Sequence, residues 1–213
     1  MHIALIGATG GSGRHLIDLA LDKGHRVTAL ARTPAKLQDV ASRIEVRQAD
    51  GRDRDSLYDA LDGPIDAVVT IVGASGLLEA RKVTDLYSVS ADNLIDAMTA
   101  RGLDRLIAVS SSGVEPQEND GWFYVNILKR FFLNPMYEDM QRMESLIQAS
   151  SLNYTIVRPP YLTKGPPTGR YRIRKGGNLP DDASLRRGDL AHFLRRAVEE
   201  PEEFSQTIAA ISE

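Results

Sequence analysis

The sequence predicts a single α/β domain built on a doubly wound parallel sheet, and three observations carry that prediction. Short runs of β-branched and aliphatic residues alternate with longer stretches of helical periodicity. A glycine-rich turn joins the first such run to the first helical stretch. No internal repeat, low-complexity tract or linker divides the 213 residues, a length that buries a substantial core as one domain.

The elements follow in order. Ile3–Ile6, Val27–Leu30, Ile44–Val46, Ala67–Val72, Leu106–Val109 and Tyr154–Val157 read as buried parallel strands, because both faces of such strands are covered and the runs are nearly continuous in apolar character. Ser12–Lys23, Pro34–Val40, Asp53–Leu61, Lys82–Arg101 and Pro135–Ser150 read as the intervening helices. In the last of these Met136, Met140, Met143 and Leu146–Ile147 form an apolar stripe at helical spacing. Right-handed crossovers between parallel strands place these helices on both faces. The Gly/Pro-rich segment Pro159–Gly177 breaks the alternation. It reads as a substrate-covering loop with a short strand, Gly169–Lys175, over the C-terminal edge of the sheet. Asp189–Glu199 then forms a helix and Thr207–Ile211 a final strand.

Composition excludes several chemistries. There is no cysteine, so thiolate catalysis, disulfides and cysteine-ligated metals are out. The four histidines, His2, His15, His25 and His192, are not spaced as metal ligands, and no metal site is expected. A formal net charge of −3 gives no electrostatic case for nucleic acid or an anionic membrane. MHIALIG carries neither a basic n-region nor a long apolar core, so the cytoplasm is the expected location.

The strongest motif is Gly7-Ala-Thr9-Gly10-Gly11-Ser12-Gly13, directly after the first strand and opening the first helix. Its glycines permit a tight turn, close approach of backbone to a diphosphate and close helix–strand packing, and the helix N-terminus offers unpaired N–H groups and a favourable dipole. Which dinucleotide binds is read from the end of the second strand, where an acidic residue would hold a free ribose 2′-hydroxyl. Ala31-Arg32-Thr33 has no carboxylate there. Arg32 suits a 2′-phosphate, Thr33 adds a hydroxyl and Lys36 lies a turn further on, which favours NADP(H) over NAD(H). Asp50-Gly51, after the third strand, is placed to meet the adenine edge, although a turn or cap role fits Asp50 nearly as well. Val72-Gly73-Ala74, after the fourth, gives a small-residue floor for the cofactor.

The glycine turn, Ala49-Asp50-Gly51, Val109-Ser110-Ser111-Ser112 and Tyr154-Thr-Ile-Val-Arg-Pro-Pro160 together resemble the atypical short-chain dehydrogenase/reductase group. Within it the chain is most similar to the NAD(P)-binding proteins related to flavin reductase/biliverdin-IXβ reductase and to NmrA-like proteins. Arg158-Pro-Pro-Tyr161, Pro167-Thr-Gly169 and Gly188-Asp-Leu-Ala191 extend the likeness over nearly the whole chain. The resemblance implies a Rossmann-like domain with nicotinamide near the fifth-strand serines and the Arg-Pro-Pro turn, so that Ser110 and Pro159 border the cofactor. It also implies that Ser111 is the retained polar residue at the acceptor. Some relatives reduce flavins, quinones or tetrapyrroles, and NmrA-like ones bind the dinucleotide as a signal.

Typical members of the superfamily carry a tyrosine and a lysine four residues apart on one helix, so that both share a face. Tyr124-Val-Asn-Ile-Leu-Lys129 has the two residues but at a spacing of five, about 140° of rotation, and they diverge. That aromatic segment, 122–132, reads as a lid, a wall or a self-association surface of a possible homodimer. Counting back from Glu144 and Ser150–Tyr154, the pair should fall at Met136 and Met140, which are chemically inert. Tyr137 is the reserve proton donor, with Gln141 four residues on where a lysine would help. Tyr161 stands where relatives carry a histidine after Pro-Pro; it either touches substrate or packs under the loop. Ser110 and Ser112 have the alternative of satisfying strand-end backbone groups. The expectation is an NADPH-dependent reductase of a small, flavin-like or quinone-like conjugated acceptor, with a dinucleotide-sensing protein as the alternative.

Overall fold

The computed structural model describes residues 1–73, 85–115, 134–177, 179 and 184–212. Its main sheet is formed by β1 (His2–Ile6), β2 (Arg26–Ala31), β3 (Glu45–Gln48), β4 (Ala67–Thr70), β5 (Arg105–Val109), β6 (Asn153–Arg158), β8 (Arg172–Lys175) and β10 (Thr207–Ser212). Their spatial order is β3-β2-β1-β4-β5-β6-β10-β8. All pairs are parallel except β10 with β8, which is antiparallel. The helices are α1 (Gly11–Asp22), α2 (Arg54–Ala60), α3 (Leu86–Arg101), α4 (Asn134–Ala149), α5 (Arg187–Glu199) and the short α6 (Pro201–Phe204). The chain runs outward from β1 to β3, then returns to place β4 on the other side of β1. This reversal opens a crevice at the C-terminal ends of β1 and β4, where open α/β sheets bind ligands.

The two-residue period of the strands builds two cores. Ile3, Leu5, Val27 and Ala29 face Leu16 and Ile17 of α1 and Phe193 and Leu194 of α5. Ala4, Leu30 and Val68 face Leu57 of α2, Leu94 and Met98 of α3, and Met143 and Ile147 of α4. Local chemistry sets the boundaries. The Asp53 carboxylate accepts from the N–H of Ser56 at 3.1 Å and caps α2. Gly102, at φ +69°, ends α3 in the left-handed region. Asp139, fully buried on α4, accepts from the N–H groups of Tyr87 (2.8 Å) and Ser88 (3.3 Å), so one helix caps the start of another. Among the described residues no helix is long and apolar enough to cross a membrane.

The single α/β domain is as the sequence predicts, and five elements differ. Pro34–Leu37 is one 3₁₀ turn rather than a helix reaching Val40. β4 stops at Thr70, two residues early, because Val72 and Gly73 leave the sheet for the crevice. The strand expected within Gly169–Lys175 covers only Arg172–Lys175 and lies beside β10 as the charged, antiparallel edge of the main sheet, not over its C-terminal edge. A separate parallel pair, β7 (Tyr161–Thr163) with β9 (Ser184–Arg186), is not apparent in the sequence. Each strand has only three residues, too short for any periodicity to register. Tyr124, Lys129 and the rest of the 122–132 segment, with Ala74, lie outside the described residues.

Candidate functional site

The site begins at the turn between β1 and α1. Gly7 has φ +91°, and a Cβ there would lie 2.4 Å from the Ile71 carbonyl oxygen, so only glycine lets β1 leave the sheet beside β4. A Cβ on Gly13 would lie 2.3 Å from the Gly7 carbonyl oxygen and 2.8 Å from the Ala8 Cα. That glycine lets α1 pack directly on the turn. The Gly10 N–H closes the turn on the Gly7 carbonyl at 3.0 Å. The first N–H groups of α1 are left without a cap, because Gly10 has no side chain to offer and no acidic residue stands in the first turn. Thr9, Gly10 and Gly11 are exposed, while Ser12 and Gly13 are buried. An exposed backbone cradle at the positive end of a helix fits a diphosphate.

At the end of β2 the exposed surface is cationic. Arg32, Thr33 and Lys36 are exposed, and Arg32 has no hydrogen bond or ion pair among the described residues. Arg14 of α1 reaches across to the Lys36 carbonyl at 2.6 Å and to the Asp39 carboxylate at 2.7 Å. It thereby neutralises the only acidic residue of the 32–40 stretch and ties that stretch to the helix carrying the glycine turn.

Asp50 takes the turn role: its carboxylate accepts from the Arg52 N–H at 3.1 Å, and its own N–H donates to the Ser56 hydroxyl at 3.1 Å. Gly51 is packed against α3, where a Cβ would stand 2.8 Å from the Ser90 hydroxyl, and its carbonyl accepts from the Asn93 amide at 3.1 Å. Val72 is half-buried and Gly73 exposed at the end of β4, with free space where a Cβ of Gly73 would point.

The ends of β5 and β6 are stitched together, the Ser110 N–H donating to the Val157 carbonyl at 2.7 Å and the Ser112 N–H to the Pro159 carbonyl at 3.0 Å. The Ser110 hydroxyl is buried and has no hydrogen-bond partner among the described residues. None of their strand-end backbone groups takes it, and a buried, unmet hydroxyl at the C-terminal edge fits a polar ligand group. The Ser111 hydroxyl accepts from the Gly113 N–H at 3.2 Å, capping a short 3₁₀ turn, Ser112–Val114. Pro159 is buried beside these serines.

Helix α4 brings Tyr137 to the same corner. A Cβ on Gly113 would lie 2.4 Å from the Tyr137 Cζ and 2.6 Å from its hydroxyl oxygen, so the phenol lies flat on the turn that Ser111 caps. Met140 and Met143 are buried in the core and Met136 packs partly against it. Gln141, four residues beyond Tyr137, donates its amide to the Val114 carbonyl at 2.8 Å. Tyr161 is 76% exposed, which overturns its packing beneath the loop.

Two buried charges position this corner. Arg158 donates from Nε to Glu144 Oε1 at 2.9 Å and pairs through its other nitrogens with Glu144 and Glu115. Burial disfavours the Arg158 cation, yet these carboxylates hold its pKa above the ordinary range. The pair locks the Arg-Pro-Pro turn to α4. Asp189, fully buried in the first turn of α5, accepts from the Thr168 N–H at 2.7 Å and the Gly169 N–H at 2.8 Å. Beside it a Cβ on Gly188 would lie 2.2 Å from the Pro167 nitrogen, so the 165–169 segment is clamped onto the start of α5. Arg105 is different: burial pulls its guanidinium down to about 10, but it begins β5, at the opposite end of the sheet from these residues. Sequence reasoning did not find the Glu144–Arg158 pair or the Asp189 clamp, because their partners are distant in sequence. A groove of about 740 Å³ between α3 and α4, lined by Asp92, Gln141 and Arg142 among others, shares only Gln141 with the residues weighed above for the site.

The family model described as NAD(P)H-binding matches residues 7–201, which begins at the first glycine of the turn and runs through α5. The chain belongs to this NAD(P)H-binding family. An uncharacterized chloroplast protein of Arabidopsis thaliana is 26% identical over 176 residues, covering 78% of this chain but 61% of that relative's length. ChuY, an anaerobillin reductase from Escherichia coli O157:H7, shares the fold with a TM-score of 0.78 at 24% identity over 100% of this chain and 97% of that one. A short-chain dehydrogenase/reductase from Veillonella parvula in complex with NADP does so at 0.79 and 17% identity, over 100% and 94%.

Proposed function

We propose that the protein is an NADPH-dependent reductase of a flavin-like or quinone-like conjugated acceptor. Membership of the NAD(P)H-binding family supports an oxidoreductase of small organic substrates at the coarse level. The observation that carries the finer reading is the glycine turn without a side-chain cap, flanked by exposed Arg32, which has no partner among the described residues, with Asp39 already neutralised by Arg14. Gly7, Gly10, Gly11, Ser12 and Gly13 hold the diphosphate, Arg32 and Thr33 the 2′-phosphate, and Ser110 and Pro159 border the nicotinamide. The bound nicotinamide supplies a hydride. Ser111 and Tyr161 orient the acceptor, and Tyr137 is the side chain placed to hand over a proton. Gln141 is neutral and turned to a backbone carbonyl, so it lends that phenol none of the field a lysine would. An acceptor that delocalises charge and takes its proton from water needs only stacking and orientation from the protein.

The same Gln141 geometry favours the second reading, an NmrA-like sensor that binds the dinucleotide without turnover. NADPH oxidation in the presence of FMN, FAD and quinones, followed by loss of nicotinamide absorbance, separates the two. Tight NADPH binding with no turnover of any acceptor would leave only the sensor. For cofactor choice, Arg32→Asp is expected to weaken NADPH by tenfold or more, the scale of one charge-assisted contact, with little change for NADH. Equal affinities of the unaltered protein for the two nucleotides would refute the role of Arg32.

A further inference from the structure

Helices α1 and α5 pack side by side against the same face of the sheet, their Leu16, Ile17, Phe193 and Leu194 sharing one core. Both run from the C-terminal edge of the sheet, so their N-termini open at the same place. The first residue of α5 is Arg187, and its side chain crosses to the first residue of α1. A Cβ on Gly11 would lie 2.8 Å from the Arg187 Cδ, 3.3 Å from Nη1 and 3.6 Å from Nε. The guanidinium rests there because Gly11 has no side chain. It is half-buried, and it makes no hydrogen bond or ion pair among the described residues.

Among the described residues that placement is electrostatically unfavourable. A cation stands against the positive end of α1, which has no side-chain cap and no carboxylate in its first turn. It also stands at the positive end of its own helix, where the one acidic residue of the first turn, Asp189, is spent on Thr168 and Gly169. Helix dipoles and a guanidinium aimed at one point are satisfied together only by an anion between them. Resting on the reading of the glycine turn as the diphosphate seat, we infer that Arg187 is a second-element clamp on the dinucleotide diphosphate. It donates from Nη1 and Nε to phosphate oxygens opposite the N–H groups of α1. Its role is separate from that of Arg32, which serves the 2′-phosphate.

The two roles separate in binding. Kd is measured by titration for NADPH, NADH and adenosine 2′-monophosphate, with the unaltered protein, Arg187→Gln, Arg187→Lys and Arg32→Gln. Arg187→Gln is expected to weaken NADPH and NADH alike, by roughly ten- to a hundredfold, the range for hydrogen bonds to a charged group. It leaves adenosine 2′-monophosphate, which has no diphosphate, unchanged, and flattens the salt dependence of NADPH binding. Arg187→Lys recovers part of the loss, since it keeps the charge without the fork. Arg32→Gln shows the opposite pattern, weakening NADPH and adenosine 2′-monophosphate and sparing NADH. Undiminished binding of both dinucleotides by Arg187→Gln would overturn the inference, as would an equal loss of the monophosphate. Tighter binding would also overturn it, by making Arg187 an occupant the ligand displaces. If the unaltered protein binds neither dinucleotide, the dinucleotide reading itself fails.

Discussion

The substitution Gly13→Ala tests the cradle directly. The new Cβ would stand 2.3 Å from the Gly7 carbonyl oxygen, about 1.1 Å short of the 3.4 Å at which ordinary contact begins. Neither neighbour can turn aside, because the obstructing atoms are backbone: the Gly7 carbonyl and the Ala8 Cα at 2.8 Å. Helix α1 must therefore retreat by most of the 1.5 Å rise of one residue. Overpacking of this kind costs about 1–3 kcal/mol, of which up to ~1 kcal/mol returns from the better helix propensity of alanine. A net loss of roughly 1–2 kcal/mol lowers Tm by about 2–8 °C in a domain of this size. The larger effect falls on the nucleotide. Hydrogen bonds near 2.9 Å do not survive a shift of about an ångström, and losing two charge-assisted bonds weakens NADP⁺ at least a hundredfold. Gly11→Ala is the internal control for stability alone: its Cβ meets the Arg187 side chain rather than backbone, so its Tm is expected to hold or rise, while its nucleotide affinity falls as the Arg187 guanidinium is displaced. Thermal denaturation and nucleotide titration read both. A Gly13→Ala protein with unaltered Tm and NADP⁺ affinity would refute the packing argument.

Two further outcomes follow from buried charge. Glu144→Leu strands Arg158, 4% exposed, with only the half-solvated Glu115, and a broken buried pair costs roughly 3–5 kcal/mol. The expected fall in Tm is on the order of 10 °C, and a fall under about 2 °C would mean the pair is not holding the Arg-Pro-Pro turn. His192 lies between the Tyr171 hydroxyl (2.8 Å from Nδ1) and Arg195 (3.4 Å from Nε2). Burial, then the nearby Arg195 and Arg196 cations, lower its pKa. The unfolded chain thus binds the proton more readily, so its contribution is present above about pH 6.5 and is lost as pH falls. Tm measured from pH 7.5 to 5 should decline more steeply for the unaltered protein than for His192→Gln. Parallel curves would count against it.

What was legible in the sequence is what depends on neighbouring residues. The glycine turn, the strand–helix alternation and the bare end of β2 are all written within a few consecutive positions, because backbone geometry and helix polarity act at short range. What was missed depends on residues brought together by the fold. Asp139 caps α3 across 52 positions, and Asp189 clamps Thr168 across 21. Arg187 reaches Gly11 from the far end of the chain. Tyr137 was hard to assign for the same reason. Its position on α4 points it away from the usual catalytic register, and only the absent Cβ of Gly113 shows that its ring reaches the serine corner. β7 and β9 escaped because three residues carry no period.

The distribution of charge along the crevice bears on which chemistry the proposed site performs. At the glycine-turn end the helix dipole, Arg32, Lys36 and Arg187 present positive potential, with no acidic side chain paired to these three cations among the described residues. At the other end, among the described residues, Ser110, Ser111, Tyr137, Gln141 and Pro159 carry no formal charge, and the buried Arg158 pairs with Glu144 and Glu115. Hydride delivered to an isolated carbonyl develops an alkoxide, which such a neutral corner meets with hydroxyl and amide dipoles alone. Hydride delivered to a flavin or quinone spreads the same charge over several atoms, so weak, well-placed donors suffice. The corner thus favours acceptors that carry their own stabilisation. Placing a cation four residues beyond Tyr137, by Gln141→Lys, is expected to raise turnover of simple carbonyl compounds more than that of quinones. Equal effects on both, read as kcat with saturating NADPH, would show that charge at this corner does not select the acceptor.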